Sequence, residues 1–370
     1  MPKEIVALIL AGGKGTRLES LTKKAAKPAV SFAAKYRIID FPLSNCANSS
    51  IQTVGIMTQY ESITLNNYIG NGEKWGLNGV RSLTSILAPH QTEAGANWYR
   101  GTADAVFQNI DFLDSLNPEF VLILSGDHIY RTTYDQMLDY HIEKGADCTV
   151  MVIEVDLREA SRFGIMTKNR EGRITQFEEK PKNPTSSLAS MGIYIFTYKL
   201  LRQALLDDAA DTSSSHDFGS NIIPKLLGEG KKFYAFPFSG YWRDVGTIRS
   251  LHEANMDIIN QETWEAIFGK NENRIFTEDT PSIPQYAGKR STIKNCIINQ
   301  GANILGNVDH SVISNEVLVE YDATLKNCVV MKGAIIGKNA EVHNAIIGPG
   351  AVVPENAKIN IAGDEIVLVD

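Results

Sequence analysis

Three glycines in four positions mark the segment Leu10-Ala11-Gly12-Gly13-Lys14-Gly15-Thr16-Arg17-Leu18. Without side chains there, backbone N–H groups can approach an anion, and Lys14 and Arg17 add positive charge beside them. Lys27-Pro28 follows and can bring another cation to the same edge. Glycines and basic residues in this order suit a reader of polyphosphate. The segment is not a Walker loop, because no Gly-Lys-Ser/Thr follows at the required spacing. It is not a dinucleotide fingerprint either, because Leu18 stands where a third spaced glycine belongs. Taken alone, a glycine-rich turn could equally be a plain strand-to-helix connection.

Two carboxylates are candidates for a metal. Asp127 follows the apolar run Val121–Leu124, and Asp244 follows Tyr241-Trp242. Carboxylates from distant segments can hold Mg²⁺, which takes a few oxygen ligands and completes its shell with water and substrate phosphates. As residues alone, they could also be a turn-forming Asp and a salt-bridged Asp; Arg243 beside Asp244 is expected to neutralise it when no metal is bound. Lys180 precedes Pro181, which biases its backbone to extended geometry and could present its ammonium to a phosphate as a point charge. It could also be a solvated lysine in a charged turn. Gln59 follows the strand-like Val54–Thr58 and could read an adenine edge with its amide. Trp98 and Tyr99 could stack on a ligand or pack in the core.

These residues need a scaffold that gathers loop ends. Ile5–Leu10 and Phe120–Leu124 are aliphatic runs of strand length, apolar on both faces, and so belong to a sheet covered on both sides. Val54–Thr58, Cys148–Val155 and Ile193–Phe196 read similarly. Between them, Thr102–Leu116 and Tyr134–Lys144 carry helical spacing. Strands alternating with helices predict an α/β fold with a mostly parallel sheet, whose carboxyl edge collects the ligand-binding loops. After about residue 260 the texture changes. Gln261–Gly288 reads as irregular linker. From Ser291 onward aliphatic doublets recur at Ile297-Ile298, Val312-Ile313, Val329-Val330 and Ile346-Ile347, and Ala323, Ala340 and Ala357 precede Leu325, Val342 and Ile359 by two residues. A coil of about 17 residues predicts a parallel β-helix of hexapeptide type. The division is therefore 1–260, a linker at 261–290, and a β-helix at 291–370.

The 370 residues carry 36 Lys+Arg and 43 Asp+Glu, a net charge of −7, which argues against general nucleic-acid or anionic-membrane binding. No apolar run approaches the ~20 residues that span a bilayer. Ile5–Ala11 reads as a buried strand and not as a signal peptide. The four cysteines, Cys46, Cys148, Cys296 and Cys328, are scattered without a Cys-x-x-Cys pair, which argues against zinc and a disulfide scaffold and makes the cytoplasm the default location.

The glycine-rich string, Lys27-Pro28-Ala29 and the run Tyr36–Cys46 together resemble the sugar-nucleotide pyrophosphorylases, most narrowly the bacterial glucose-1-phosphate adenylyltransferase family. The likeness continues through Trp98–Ala105, Ser125–Tyr130, Phe177–Pro181, Leu188–Gly192, Ser215–Gly219 and Tyr241–Thr247. It implies a Rossmann-like nucleotidyltransferase domain followed by a left-handed β-helix. It also implies transfer of the adenylyl group of ATP to α-D-glucose 1-phosphate, giving ADP-glucose and pyrophosphate for bacterial glycogen synthesis.

By this resemblance Asp127 and Asp244 bind the catalytic Mg²⁺, and Arg17 and Lys180 complete the catalytic set. Gly12, Gly13, Gly15, Thr16 and Lys27 lie on the nucleotide, with Gln59, Gly101 and Thr102 beside it. Lys180 binds the sugar phosphate. Tyr99, Gly164, Glu179, Ser190 and Asp217 complete the sugar pocket, Tyr99 from a loop that moves with substrate. Activator anions in the family bind a basic segment, for which Lys23, Lys24, Lys35 and Arg37 are the candidates, although Phe32-Ala33-Ala34 stands where the family usually has Gly-Gly before Lys35. The family pattern implies a homotetramer, or a hetero-oligomer with a regulatory paralogue. Other readings are a non-catalytic regulatory subunit, which typically loses the strand-end Asp or the Lys before Pro, and a pyrophosphorylase for UTP or TTP. An acyltransferase in the β-helix would have to rely on His310 or His343, each better read as a coil-surface residue.

Overall fold

In the computed structural model the described residues are 5–23, 25–89, 91–92, 95–96, 98–269 and 272–370. The elements that matter for function begin with β1 (Ile5–Leu10), α1 (Asp40–Asn48), β2 (Thr53–Met57), β3 (Leu83–Leu87) and α2 (Thr102–Gln108). Next come β4 (Phe120–Ser125), β5 (His128–Tyr130), α3 (Asp135–Glu143), β6 (Cys148–Glu154) and β7 (Gly164–Lys168). They continue with β8 (Ile174–Glu179), β9 (Leu188–Thr197), α4 (Tyr198–Ala209), β10 (Phe233–Pro237), β11 (Trp242–Asp244) and α5 (Ile248–Asp257).

Nine strands form the main sheet, in the order β8-β7-β9-β4-β1-β2-β3, with β6 on β9 and β10 on β6. The block β4-β1-β2-β3 is parallel throughout. Apolar side chains from both faces of β1 and β4 enter two separate cores, one on each side of the sheet, as strands apolar on both faces require. β9 joins this block antiparallel, pairing Ile193 with Leu124 and Thr197 with Phe120. The strand ends Leu10, Met57 and Ser125 lie in one register row, with Leu87 beyond Met57. The loops after β1, β2 and β4 therefore emerge together at the carboxyl edge.

The segment 102–116 is two helices, not one. Asn109 breaks it: its side-chain amide donates to the Ala105 carbonyl oxygen at 2.8 Å and to the Tyr99 hydroxyl at 2.9 Å, a local competition with the helical ladder. The stretch after residue 260 is likewise less irregular than its composition suggests. Gln261–Ile267 is helical, capped by Asn260, whose Oδ1 accepts from the Glu262 and Thr263 amides.

The C-terminal part is a parallel β-helix. Ile297, Val312, Val329 and Ile346 stack in parallel register along one face, and Val308, Leu325, Val342 and Ile359 along a second. Leu318, Ile335 and Val352 form the third. Corners recur at Asn295, His310, Asn327 and Asn344, all with φ between 44° and 55°. Asn tolerates that left-handed backbone because its short amide hydrogen-bonds locally; His310 occupies the same corner of its coil. His343 lies at the coil surface, 3.4 Å from Glu341. The Val329, Met331 and Ile346 side chains share one apolar cluster with Leu18, Phe32, Val245 and Leu251, so the coils and the sheet-bearing part are packed together.

Ala33 and Ala34, at the hairpin joining Ser31–Phe32 to Tyr36–Arg37, have φ of 53° and 63°. Left-handed backbone costs an alanine about 1–2 kcal/mol. Both residues are buried, and burying a methyl returns about 0.8 kcal/mol. That burial offsets part of the strain at each alanine.

Candidate active site

Two clefts open at the carboxyl edge and meet at Asp127. The first, about 400 Å³, is lined by the loop after β1 (Gly12, Gly13), by Lys27, Gln59, Tyr60 and Tyr99, and by Gly101 and Thr102 at the start of α2. Its walls include Leu10, Met57 and Ala105, so it is largely apolar with a glycine-rich rim. The second, about 350 Å³, is lined by Arg17, Arg162, Gly164, Glu179, Lys180, Ser190, Asp217 and Asp244. Leu10, Thr102, Ser125, Asp127 and Asp217 belong to both. An apolar slot with backbone amides at its mouth suits a nucleoside phosphate, and a basin of carboxylates, hydroxyls and cations suits a phosphorylated polyol.

The glycines divide by what they must avoid. Gly15 has φ +63° and starts the 3-10 turn Thr16–Thr22, so its role is to turn the chain. Gly13 is different: a Cβ there would meet nothing within 4 Å. Among the described residues no neighbouring atom excludes a side chain from that position, and Gly13 lines the first cleft. Gly15 and Thr16 line neither cleft. Gly101 lies against the His216 carbonyl, which accepts from the Ala103 and Asp104 amides at 2.8 and 3.2 Å. A side chain at 101 would overlap that oxygen.

Gln59 accepts a hydrogen bond from the Tyr99 amide at 2.6 Å through Oε1. A backbone N–H can only donate, so the amide's orientation is set. Tyr99 lines the first cleft and not the second; its hydroxyl donates to the Leu87 carbonyl at 3.2 Å. Its neighbour Trp98 is half exposed and stacks on Tyr60, with ring centroids 5.0 Å apart, and Lys14 lies over the other ring of that pair, Tyr60, at 4.8 Å.

Asp127 and Asp244 arrive from the loop after β4 and the end of β11, and β5 pairs with β11 to bring them together, Asp244 opposite His128. One ligand atom from each of Asp127, His128 and Asp244 lies within 4.8 Å of the others. The cation nearest this pair is Lys27, whose Nζ donates to Asp127 Oδ2 at 2.6 Å and to Asp244 Oδ1 at 3.2 Å. Burial opposes charge on both partners, yet the carboxylates raise the Lys27 ammonium above its ordinary range. Asp127 is held well below the usual carboxylate range: burial pushes it up, and the Lys27 and His128 charges and the Ser125 hydroxyl pull it further down. A converging set of oxygens already holding a stand-in cation fits a divalent ion.

Arg243 does not neutralise Asp244. It pairs with Asp257 at 2.9 Å, where Tyr241 also donates, because the side chains of adjacent residues on a strand point to opposite faces. Arg162 instead reaches Asp244 Oδ2 at 3.5 Å. Sequence reading passed over Arg162; its one signal is its position directly before Phe163-Gly164.

Lys180 holds a further surprise. Its φ is 46°, not extended, although Pro181 follows. Its amide donates to the Phe163 carbonyl at 3.1 Å, which ties the turn to the second cleft. The Lys180 ammonium pairs with Glu179 at 2.8 Å and is raised by that contact. Gly219 and Gly164 flank the same carboxylate; a Cβ at 219 would overlap Glu179 Oε2, and one at 164 would lie 2.8 Å from it. Asp217 accepts from Thr102 Oγ1 at 2.8 Å and from the Ser220 amide at 3.0 Å. Ser190 is buried and accepts from the Gly192 amide at 3.1 Å.

The basic segment outside the clefts is engaged with the chain after α5. Lys35 lies 3.6 Å from Asp279, and Arg37 lies 3.6 Å from Glu278 and 4.0 Å over the Tyr68 ring. Lys23 is exposed, and Lys24 lies outside the described residues. The four cysteines are free thiols.

A model of the nucleotidyl transferase family matches residues 6–261, and a model of the GlmU-like C-terminal hexapeptide matches residues 282–365. Among similar proteins are those named glucose-1-phosphate adenylyltransferase from Bacillus mycoides (strain KBAB4), Bacillus cereus (strain ATCC 10987 / NRS 248) and Bacillus anthracis. Each is 52% identical over 340 residues, covering 92% of this chain and 90% of the relative.

Proposed function

The chain belongs to the nucleotidyl transferase family, and we propose that it is a glucose-1-phosphate adenylyltransferase, converting ATP and α-D-glucose 1-phosphate to ADP-glucose and pyrophosphate for glycogen synthesis in the bacterial cytoplasm. The observation that carries the reading is the meeting of the two clefts at Asp127. A nucleotide in the first would lay its α-phosphate where a sugar phosphate in the second can reach it.

Both reactants are polyanions, and the barrier is the crowding of negative charge. Positioning and electrostatics therefore dominate, and no protein nucleophile or general base is needed, because the attacking phosphate is already ionised. Gly12 and Gly13 offer backbone amides to the triphosphate, with Lys27 beside them. Gln59 presents its amide N–H to the base, its carbonyl being held by Tyr99. Lys180 and Arg162 draw the sugar phosphate into the second cleft, and Glu179, Ser190 and Asp217 bind hydroxyls. Arg17, which lines the second cleft, adds charge where both sets of phosphates converge. Asp127 and Asp244 would hold Mg²⁺, which when bound supplies charge neutralisation at the phosphate oxygens.

The β-helix presents aliphatic residues outward, with Ile335 and Val352 adjacent in register and exposed. We take that face as the contact of a homotetramer, or of a hetero-oligomer with a regulatory paralogue. Lys23, Lys24, Lys35 and Arg37 remain the candidates for an activator anion. Among the described residues no helix is long and apolar enough to cross a membrane.

Pyrophosphate release by Asp127→Asn tests the function. Turnover should fall by at least about a thousandfold, roughly 4 kcal/mol of transition-state stabilisation, with the circular dichroism spectrum unchanged. Near-normal turnover in that variant would overturn the metal role of Asp127, and a wild-type chain that releases no pyrophosphate from ATP and glucose 1-phosphate would overturn the function.

A further inference from the structure

The two carboxylates assigned above to a divalent ion are already shared by an ammonium. Lys27 is 6% exposed. Its backbone lies in the short turn Lys27–Ala29, fixed by the bonds Val30 N–H to Lys27 oxygen at 3.1 Å and Ile39 N–H to Pro28 oxygen at 2.9 Å. The backbone holds its place, so the flexible four-carbon stem decides where the charge sits. At present Nζ takes one oxygen from each carboxylate, at 2.6 and 3.2 Å.

A divalent ion held by Asp127 and Asp244 would draw on the same two carboxylates. Two cations a few ångströms apart on one pair of carboxylates repel, the more so because the Lys27 side chain is only 8% exposed. Binding is therefore an exchange and not an addition. The rest of Lys27 borders the first cleft beside Gly12, Gly13 and Gln59, where a triphosphate supplies the one thing a displaced buried ammonium needs, a new anionic partner.

We propose that Lys27 is the resident counter-cation of the Asp127–Asp244 pair, and that it must leave the pair for a divalent ion to enter, passing its charge to the nucleotide phosphates. Divalent ion and nucleotide then bind cooperatively, and the ion alone binds weakly because it competes with an internal charge. The inference rests on the metal reading of Asp127 and Asp244.

The test is a Mn²⁺ titration by electron paramagnetic resonance on the full chain without substrates, for wild type, Lys27→Met and Asp127→Asn. Lys27→Met should bind Mn²⁺ roughly tenfold more tightly than wild type, or better, and Asp127→Asn more weakly. Thermal melting adds a second reading: Mn²⁺ should raise the melting temperature of Lys27→Met by more than that of wild type. Lys27→Gln replaces Lys27→Met in both measurements if the latter fails to fold. Equal or weaker Mn²⁺ binding in the Lys27 variants, with binding still lost in Asp127→Asn, overturns the exchange while leaving the metal site intact. Mn²⁺ binding that is indifferent to both Lys27 and Asp127 overturns the metal site and the exchange together.

Discussion

His252 on α5 donates from Nε2 to the backbone carbonyl of Asn327, a left-handed corner of the β-helix, at 2.9 Å. Helix α5 begins four residues after Asp244, behind a capping box formed by Thr247 and Ser250. The β-helix is thus bound to the element that follows one of the two cleft carboxylates. Around this bond, Leu251 and Val245 share an apolar cluster with Val329, Met331 and Ile346. Calorimetry should show one cooperative transition for the whole chain. His252→Ala removes a buried hydrogen bond and a packed ring, and should cost roughly 1–3 kcal/mol in urea unfolding. Two separate transitions in the wild-type trace would contradict this coupling.

Lys180 separates charge from backbone strain. Its side chain is 64% exposed, so removing the ammonium costs the fold little. Lys180→Ala and Lys180→Gly should both weaken use of glucose 1-phosphate by roughly 30-fold or more, the worth of a charge-assisted bond to phosphate. Stability should move the other way between them. At φ 46° a Cβ costs about 1–2 kcal/mol, while glycine's entropy takes back about 0.5–1 kcal/mol. Thermal melting should place Lys180→Gly above Lys180→Ala, and the reverse order would show that this backbone is unstrained.

The glycines make a matched set. Gly13→Ala meets open space, so stability should hold or rise by a few tenths of a kcal/mol, while KM for ATP rises about tenfold or more as the methyl blocks the phosphates. Gly219→Ala pushes Glu179 aside, so KM for glucose 1-phosphate should rise with that for ATP nearly unchanged. Gly101→Ala collides with the His216 backbone and should lower stability by several kcal/mol. Steady-state kinetics beside melting curves separates the three, and a loss of stability in Gly13→Ala would remove the argument that its space belongs to a ligand.

The legible and illegible parts of this chain differ by range. Ile5–Leu10 and Phe120–Leu124 announce a doubly covered sheet because burial on both faces leaves an unbroken aliphatic run. The spacing of Ile297, Val312, Val329 and Ile346 is the register of the β-helix itself. What sequence could not display is which charge meets which. Lys27 finds Asp127 and Asp244 at separations of 100 and 217 residues. Arg243, adjacent to Asp244, turns away to Asp257, and Arg162 takes its place. Tyr99 falls in the first cleft because Gln59 holds its amide. Lys180 departs from the pre-proline preference because its amide is claimed by Phe163. In each case a long-range contact overrides a local tendency.

Two buried groups should make the pH dependence of stability readable only by difference. His141 on α3 lies between Thr149 and Thr197, at 2.9 and 3.2 Å, and burial lowers it to about 4 from an ordinary 6.5. Between those values the unfolded chain binds a proton that the folded chain refuses. The stability it contributes is complete above about pH 6.5 and is lost as pH falls towards 4, by up to about 3 kcal/mol. Asp40 works in the opposite sense. Burial raises it to about 6, against hydrogen bonds from the Arg37 amide, Thr277 and Tyr68. The folded chain therefore takes a proton there first, and falling pH between about 6 and 4 adds stability of similar size. The two slopes oppose each other in the wild-type curve, and His252, also lowered by burial, adds to the His141 side. His141→Gln keeps one donor and one acceptor for the two threonines but cannot titrate. Urea unfolding of wild type and His141→Gln at pH 7.5, 6, 5 and 4.5 should show the advantage of wild type shrinking as pH falls, by about 2–3 kcal/mol overall. An advantage that stays constant across that range would mean that His141 is not buried in its neutral form.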